Sequence, residues 1–195
     1  MYAYTYRRIA QTLTAKLLLV MGAIQAPAQA GDWPMWHHDA ARGASTTDAL
    51  PSDLKQAWVR VLPAPRPAWP SSQLEVQYDA SYEPVAVGQL LLVGSNVDDS
   101  LTAFDTRSGK PAWKFFTDGP IRFAPVVDDE RVFVASDDGY LYCLALADGS
   151  LNWRVRGGPS ERRVLGVDRL ISSWPVRGGP VVADGNVYFT AGIWP

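Results

Sequence analysis

Few residues in this chain have the types and spacing for chemistry. His37 and His38 are the only two histidines in 195 residues. Adjacent side chains point to opposite faces of a strand and do not face each other on a helix, so this pair is a poor set for one metal ion. A Ser-His-Asp arrangement would have to use one of them, and nothing in the sequence frames it. Asp98-Asp99 and Asp137-Asp138 occupy equivalent turns, where clustered carboxylates could bind Ca²⁺. Turn chemistry accounts for them without an ion. Cys143 is the sole cysteine, which excludes an intramolecular disulfide. There is no glycine-rich phosphate loop, CxxC pair or dinucleotide fingerprint. The remaining concentration of functional side chains is Ser160 to Val176, with Arg162, Arg163, Arg169 and Trp174, flanked in sequence by Arg122 and Arg177.

The elements that must position these residues are repeats. The stretch from Ala103 to Trp113 recurs in altered form from Cys143 to Trp153, and superposing Gly109 on Gly149 superposes Trp113 on Trp153, 40 residues on. Pro84-Val85 and Pro125-Val126 follow nearly the same period, while Pro125 to Pro180 is 55 residues. A period of this size means stacked units, each burying its apolar face against a neighbour. The extra length in the last interval is Ser160 to Val176, and insertions between repeats map to loops on one face, often the binding face. It reads either as a surface loop of no particular chemistry or as such a binding loop, with Arg162, Arg163, Arg169 and Trp174 as its contact residues.

Within each repeat the strands are short. Gln89 to Gly94, Leu101 to Asp105 and Ala112 to Thr117 are apolar runs separated by polar turns. Arg131 to Ala135 and Tyr140 to Leu146 flank Asp137-Asp138-Gly139, a strong hairpin signal. In Tyr140-Leu141-Tyr142-Cys143-Leu144 both alternating sets are apolar, so this strand must be covered on both sides. Leu54 to Leu62 reads as a lone strand centred on Trp58, and Leu74 to Asp79 as a poorer one. The four prolines between Pro63 and Pro70 mark an extended connector.

Residues 1–30 carry Arg7, Arg8 and Lys16 ahead of the apolar run Leu17 to Ile24, then Ala28-Gln29-Ala30. This is the layout of a secretory signal cut after Ala30, and the run is too short to span a bilayer. Its removal leaves 15 basic against 20 acidic residues, an unfavourable balance for a nucleic acid partner. The chain thus divides into a signal at 1–30, a segment at 31–70 with a lone Trp strand and Pro-rich connector, and repeats at 71–195. The repeats run from about 82–120 and 123–159, with an incomplete one at 178–195. The mature protein is expected in the periplasm or outside the cell, without a transmembrane segment.

Gly109 and Gly149 stand where the chain reverses and where positive φ is needed. Trp113 and Trp153 follow four residues later, placed to project a ring onto the adjacent sheet. Asp105 can accept hydrogen bonds from turn amides. At these residues the chain resembles the quinoprotein-like β-propeller repeats, whose blades carry Ala-x-Asp-x-x-x-Gly-x-x-x-Trp. The first repeat matches at Ala103, Asp105, Gly109 and Trp113. The second keeps Gly149 and Trp153 but has Cys143 for the Ala and Ala145 for the Asp.

The resemblance implies an all-β propeller of four-stranded antiparallel blades, with about two and a half of the usual seven or eight present. The sequence is therefore expected to be a fragment, or to close by oligomerisation. The same repeats serve pyrroloquinoline quinone dehydrogenases and non-catalytic assembly proteins, so fold alone does not choose an activity. The reading carried forward is a non-catalytic binding or scaffolding module for other envelope proteins, with no catalytic, cofactor or metal residues assigned. The alternative is the N-terminal part of a quinone- and Ca²⁺-dependent dehydrogenase. There the resemblance would imply a Trp under the cofactor, carboxylate and amide Ca²⁺ ligands, and a catalytic Asp. In the alcohol-oxidising branch it would add an adjacent cysteine pair, which a single Cys143 excludes within this chain.

Overall fold

The computed structural model describes residues 31–69, 72–73, 77–166 and 168–192. The expected signal segment lies outside them. Among the described residues twelve strands are formed, beginning with β1 (Val85–Val87), β2 (Leu90–Ser95), β3 (Ser100–Asp105) and β4 (Pro111–Phe116). They pair in sequence order as one antiparallel sheet. The next four, β5 (Val126–Asp128), β6 (Arg131–Ala135), β7 (Tyr140–Ala145) and β8 (Leu151–Arg156), repeat that sheet. Then come β9 (Arg163–Gly166) and β10 (Arg169–Ser172), a separate hairpin, and β11 (Val176–Ala183) with β12 (Asn186–Ala191), a two-stranded sheet. No α-helix occurs among the described residues.

The repetition extends to irregularities. The β3–β4 ladder slips between Ala103 and Phe104, and the β7–β8 ladder slips at the equivalent Cys143 and Leu144. Each slip lies just past the pair that sets Ala103 or Cys143 opposite its tryptophan.

The second sheet is apolar on both faces, as the pattern of Tyr140 to Leu144 requires. Val132, Val134, Tyr142 and Leu144 pack with Val85, Leu92, Leu101 and Trp113 of the first sheet. Phe133, Ala135, Leu141 and Cys143 point the other way, to Val182, Val187 and Phe189 of the β11–β12 sheet. Side chains alternate across a strand, so a period of two builds two separate cores here. Cys143 is fully buried in the second of them, and burial pushes its thiol pKa up, so it is packing rather than a nucleophile.

Two expectations need correction. Ser160 to Val176 is not an irregular loop: residues 163–172 pair as the β9–β10 hairpin, with Arg169 opposite Gly166 and Ser172 opposite Arg163. Val164 and Leu165 facing Ile171 and Leu170 supply the apolar cross-strand pairs that make it a ladder. Leu54 to Leu62 forms no strand; Val59 and Val61 are exposed, and the segment is fastened through Trp58 instead of a backbone ladder. The other weak strand, Leu74 to Asp79, lies partly outside the described residues, and its described part, 77–79, is not a strand.

Candidate functional site

In a meander of antiparallel strands the β2–β3 and β6–β7 turns lie at the same end of the stack as the connections between sheets. The β3–β4 and β7–β8 turns, with Gly109 and Gly149, lie at the other. The two ends do different work.

At the glycine end, the indole Nε1 of Trp113 donates to the carbonyl of Leu146 at 2.9 Å, and its ring lies against Gly149, where a Cβ would fall 2.5 Å from a ring carbon. The Trp58 Nε1 donates to the Thr106 carbonyl at 2.7 Å, and its ring covers Gly109 in the same way. Both glycines have positive φ, 66° and 72°. Glycine is therefore required twice over, by the turn and by the neighbour's ring. Asp105 accepts from the Ser108 amide and hydroxyl, which hold its carboxyl below the usual range. The second turn lacks that Asp but keeps the Gly149 amide on the Ala145 carbonyl at 2.9 Å, and Asp148 caps Ser150. Ala103 is buried opposite Trp113. Trp153 has the Phe133 ring 5.8 Å away and is 42% exposed, against 9% for Trp113.

At the connection end sits a buried ionic network that sequence reasoning missed. Arg122 and Arg177 each stand three residues before a Pro-Val-Val, at Pro125 and Pro180, Arg122 on the connection before β5 and Arg177 at the start of β11. The Arg122 Nε donates to Asp137 Oδ2 at 2.6 Å and its Nη1 to Asp79 Oδ2 and the Arg66 carbonyl. Arg177 grips both oxygens of Asp137, through Nε at 2.8 Å and Nη2 at 2.9 Å. Asp79 also accepts from the Ala68 amide, and Asn96, which is equivalent to Asp137 in the first repeat, bonds the Asp79 carbonyl and the Arg66 amide. Arg122, Asp79 and Asp137 are all buried. Two cations and two anions balance, and every carboxylate oxygen named has a donor, which is the condition for keeping charges out of water. Burial pulls the Arg177 guanidinium down, but the hydrogen bonds and charge of Asp137 outweigh it and leave it above its usual value. The recurrence of Arg before Pro-Val-Val was the signal in the sequence.

Around the network lie the other charged turns. Asp138 accepts from the Tyr142 hydroxyl and from the Tyr140 and Asp118 amides, yet burial still raises its pKa. Asp98 pairs with Lys114, and Asp99 with Arg169 at 2.6 Å. Glu83 accepts from the Ala124 amide at 3.0 Å; burial raises its carboxyl, against that hydrogen bond and the nearby Arg42 guanidinium. His37 and His38 both have positive φ and lie in the turn that carries Arg42 to the Gly179 carbonyl.

The four residues expected in a binding loop have divergent fates. Arg169 turns inward to Asp99 and the Asn96 carbonyl, Arg163 approaches Asp118 at 3.7 Å, and Trp174 packs over Gly158. Arg162 is exposed and makes no side-chain ion pair among the described residues. Beside them a polar cleft of about 160 Å³ is lined by Asp118, Arg154, Arg156, Glu161, Arg163 and Ser172, among others.

Four-stranded antiparallel sheets stacked face to face, with a tryptophan of one sheet on a glycine of the next, define a β-propeller of quinoprotein-like repeats. The chain belongs to the family described as outer membrane protein assembly factor BamB, whose model matches residues 21–183. No curated protein matches it. Solved structures do: a quinohemoprotein alcohol dehydrogenase from Comamonas testosteroni superposes with a TM-score of 0.55 at 22% identity, over 83% of this chain and 23% of that one. BamB from Moraxella catarrhalis gives 0.36 at 18%, over 53% and 40%. A quinohemoprotein alcohol dehydrogenase from Pseudomonas putida HK5 gives 0.48 at 21%, over 56% and 16%. The chain thus spans well under half the length of these proteins, and at such identities the likeness concerns the fold.

Proposed function

We propose that this chain is an exported β-propeller module that binds or scaffolds other envelope proteins without catalysing a reaction. The observation that carries this reading is the use made of its charged residues: the conspicuous carboxylates and arginines of the connection end are engaged with each other and bind successive repeats together. Arg122 and Arg177 direct their guanidinium groups to Asp137 and Asp79, so these side chains fit neither a Ca²⁺ ion nor a quinone carboxylate without breaking the network. Outside it, the β9–β10 hairpin and the cleft beside it present Arg154, Arg156, Arg162 and Arg163 with Asp118 and Glu161 on an exposed rim. Such a mixed-charge surface suits a protein partner, and the family's description as an assembly factor supports an envelope location.

The test is a photo-crosslinking residue placed at Arg162, and separately at Lys110 on the opposite end, in cells that export the protein. Cross-linking to an envelope protein from position 162 alone is expected; equal products from both positions, or none, overturn the assigned surface. Addition of pyrroloquinoline quinone with Ca²⁺ to the purified protein should leave its tryptophan fluorescence unchanged. Saturable quenching would instead favour the quinone-dependent dehydrogenase. Export itself is checked by sequencing the mature protein, expected to begin at Gly31.

A further inference from the structure

The residues that follow the expected cut after Ala30 are fastened to both four-stranded sheets. Asp32 Oδ1 accepts from the Gly88 amide at 2.7 Å. Trp33 exchanges two backbone hydrogen bonds with Ala86 of β1, at 2.6 and 3.0 Å, and the Pro34 carbonyl accepts from the Val127 amide of β5 at 2.8 Å. Met35 is buried in the second core, with Val126 and Phe133. Gly31 stands one residue ahead of this anchor, and its backbone nitrogen donates to Asp48 Oδ2 at 2.6 Å. Asp48 is steadied in turn by its own amide, which donates to Thr46 Oγ1 at 3.1 Å. A Cβ at Gly31 would fall 2.1 Å from that same carboxylate oxygen, so a side chain there would push the carboxylate off the nitrogen.

While a signal is attached, the Gly31 nitrogen is a neutral amide. Hydrolysis of the bond between Ala30 and Gly31 by water leaves the carboxylate on Ala30 and an amine on Gly31, which is mostly protonated below an ordinary pKa of about 7.7. We propose that Asp48 is the receptor for the α-ammonium group that processing creates at Gly31, so that signal removal converts an amide hydrogen bond into an ion pair and completes the docking of the N-terminal segment. This rests on the export reading above, with its cut after Ala30. An ionised donor makes the stronger hydrogen bond to a carboxylate. Both residues are exposed, so the pair is modest in strength and sensitive to salt. Gly31 brings no side chain to be ordered, and the residues after it are already held, so little chain entropy is lost in forming the pair.

The test uses the chain from Gly31 onward, released with a free amine from a fusion by a protease that cuts directly before Gly31, beside the same chain acetylated at Gly31. Acylation of the α-amine at pH 7, followed by mass spectrometry of the N-terminal peptide, should be roughly two- to fivefold slower in the parent than in Asp48→Asn, and the gap should close in 1 M salt. A chain with one added glycine ahead of Gly31 moves its amine away from Asp48 and should react like Asp48→Asn. Asparagine keeps a carbonyl that can accept from an amide, so a merely structural bond at Gly31 would not separate these chains. The acetylated chain, whose Gly31 nitrogen is an amide as in the precursor, should exchange its Trp33 and Ala86 amides roughly two- to fivefold faster than the free chain. Equal acylation rates in the parent and Asp48→Asn overturn the ion pair, and equal exchange in the free and acetylated chains overturns its link to the fold. Neither measurement depends on where the cell cuts, so a different first residue in the exported protein would sink the export reading while leaving these results to stand by themselves.

Discussion

Asp137 illustrates how one side chain can join three repeats. It belongs to the β6–β7 turn, yet its two oxygens receive Arg122 from the connection before its sheet and Arg177 from the start of β11. Removing one partner from a buried ionic group leaves charge without compensation, at a cost of about 3–5 kcal/mol. Asp137→Ala is thus expected to lower the thermal midpoint by roughly 10 °C, read by circular dichroism. Two other carboxylates should respond to pH with opposite signs. Asp105 is held below its usual pKa by Ser108, so its contribution is present above about pH 4 and lost as pH falls through the depressed value. Burial raises Asp138, so its contribution favours the folded state at low pH and is lost as pH rises through the elevated value. Relative to the parent, Asp105→Ala should therefore be more destabilising at pH 7 than at pH 3, and Asp138→Asn less so, in melts run at both.

Between elements, the indole-on-glycine contact is the joint. Trp113→Ala removes a buried ring and its hydrogen bond to Leu146, and an aromatic truncation of this kind costs about 3–5 kcal/mol. Trp153→Ala, at the same place in the next repeat but with its ring uncovered, should cost about 1 kcal/mol or less. Urea midpoints of the two variants measure the difference directly. Gly149→Ala should add about 1–2 kcal/mol of left-handed backbone strain to the displacement of the Trp113 ring, and so should exceed a surface substitution by a wide margin. The β9–β10 hairpin is a second joint, since Arg169 reaches back 70 residues to Asp99. Arg169→Ala should loosen the hairpin and raise amide exchange in β9 and β10 while leaving β6 and β7 untouched.

For the molecule as a whole, the two four-stranded sheets and β11–β12 form their cores between successive sheets, so stability is close to a sum of repeat and interface terms. The second sheet has a core on each face, whereas β8 and β12 are each paired along one edge among the described residues. Hydrogen exchange should be slowest in β6 and β7 and fastest in β8, β12 and the segment around Trp58. Faster exchange in β7 than in β12 would contradict this ordering.

Much of the architecture was legible in the sequence. The 40-residue offset, the turn glycines and the two-sided apolarity of Tyr140 to Leu144 suffice to specify stacked short-stranded sheets, because side-chain alternation and turn conformation are local properties. Other features were decided only by tertiary contact. That Trp113 belongs to Gly149 rather than to its own Gly109 depends on which sheet lies opposite. The same holds for Trp58, which needs no strand around it to dock. Arg163 and Arg169 read as free cations on a loop until the chain brought Asp118 and Asp99 beside them. Arg122, Asp79, Asp137 and Arg177 are scattered over 99 positions of sequence. Whether such charges form a ligand site or a mutual clamp depends on distances of about 3 Å, which only the assembled stack of sheets sets.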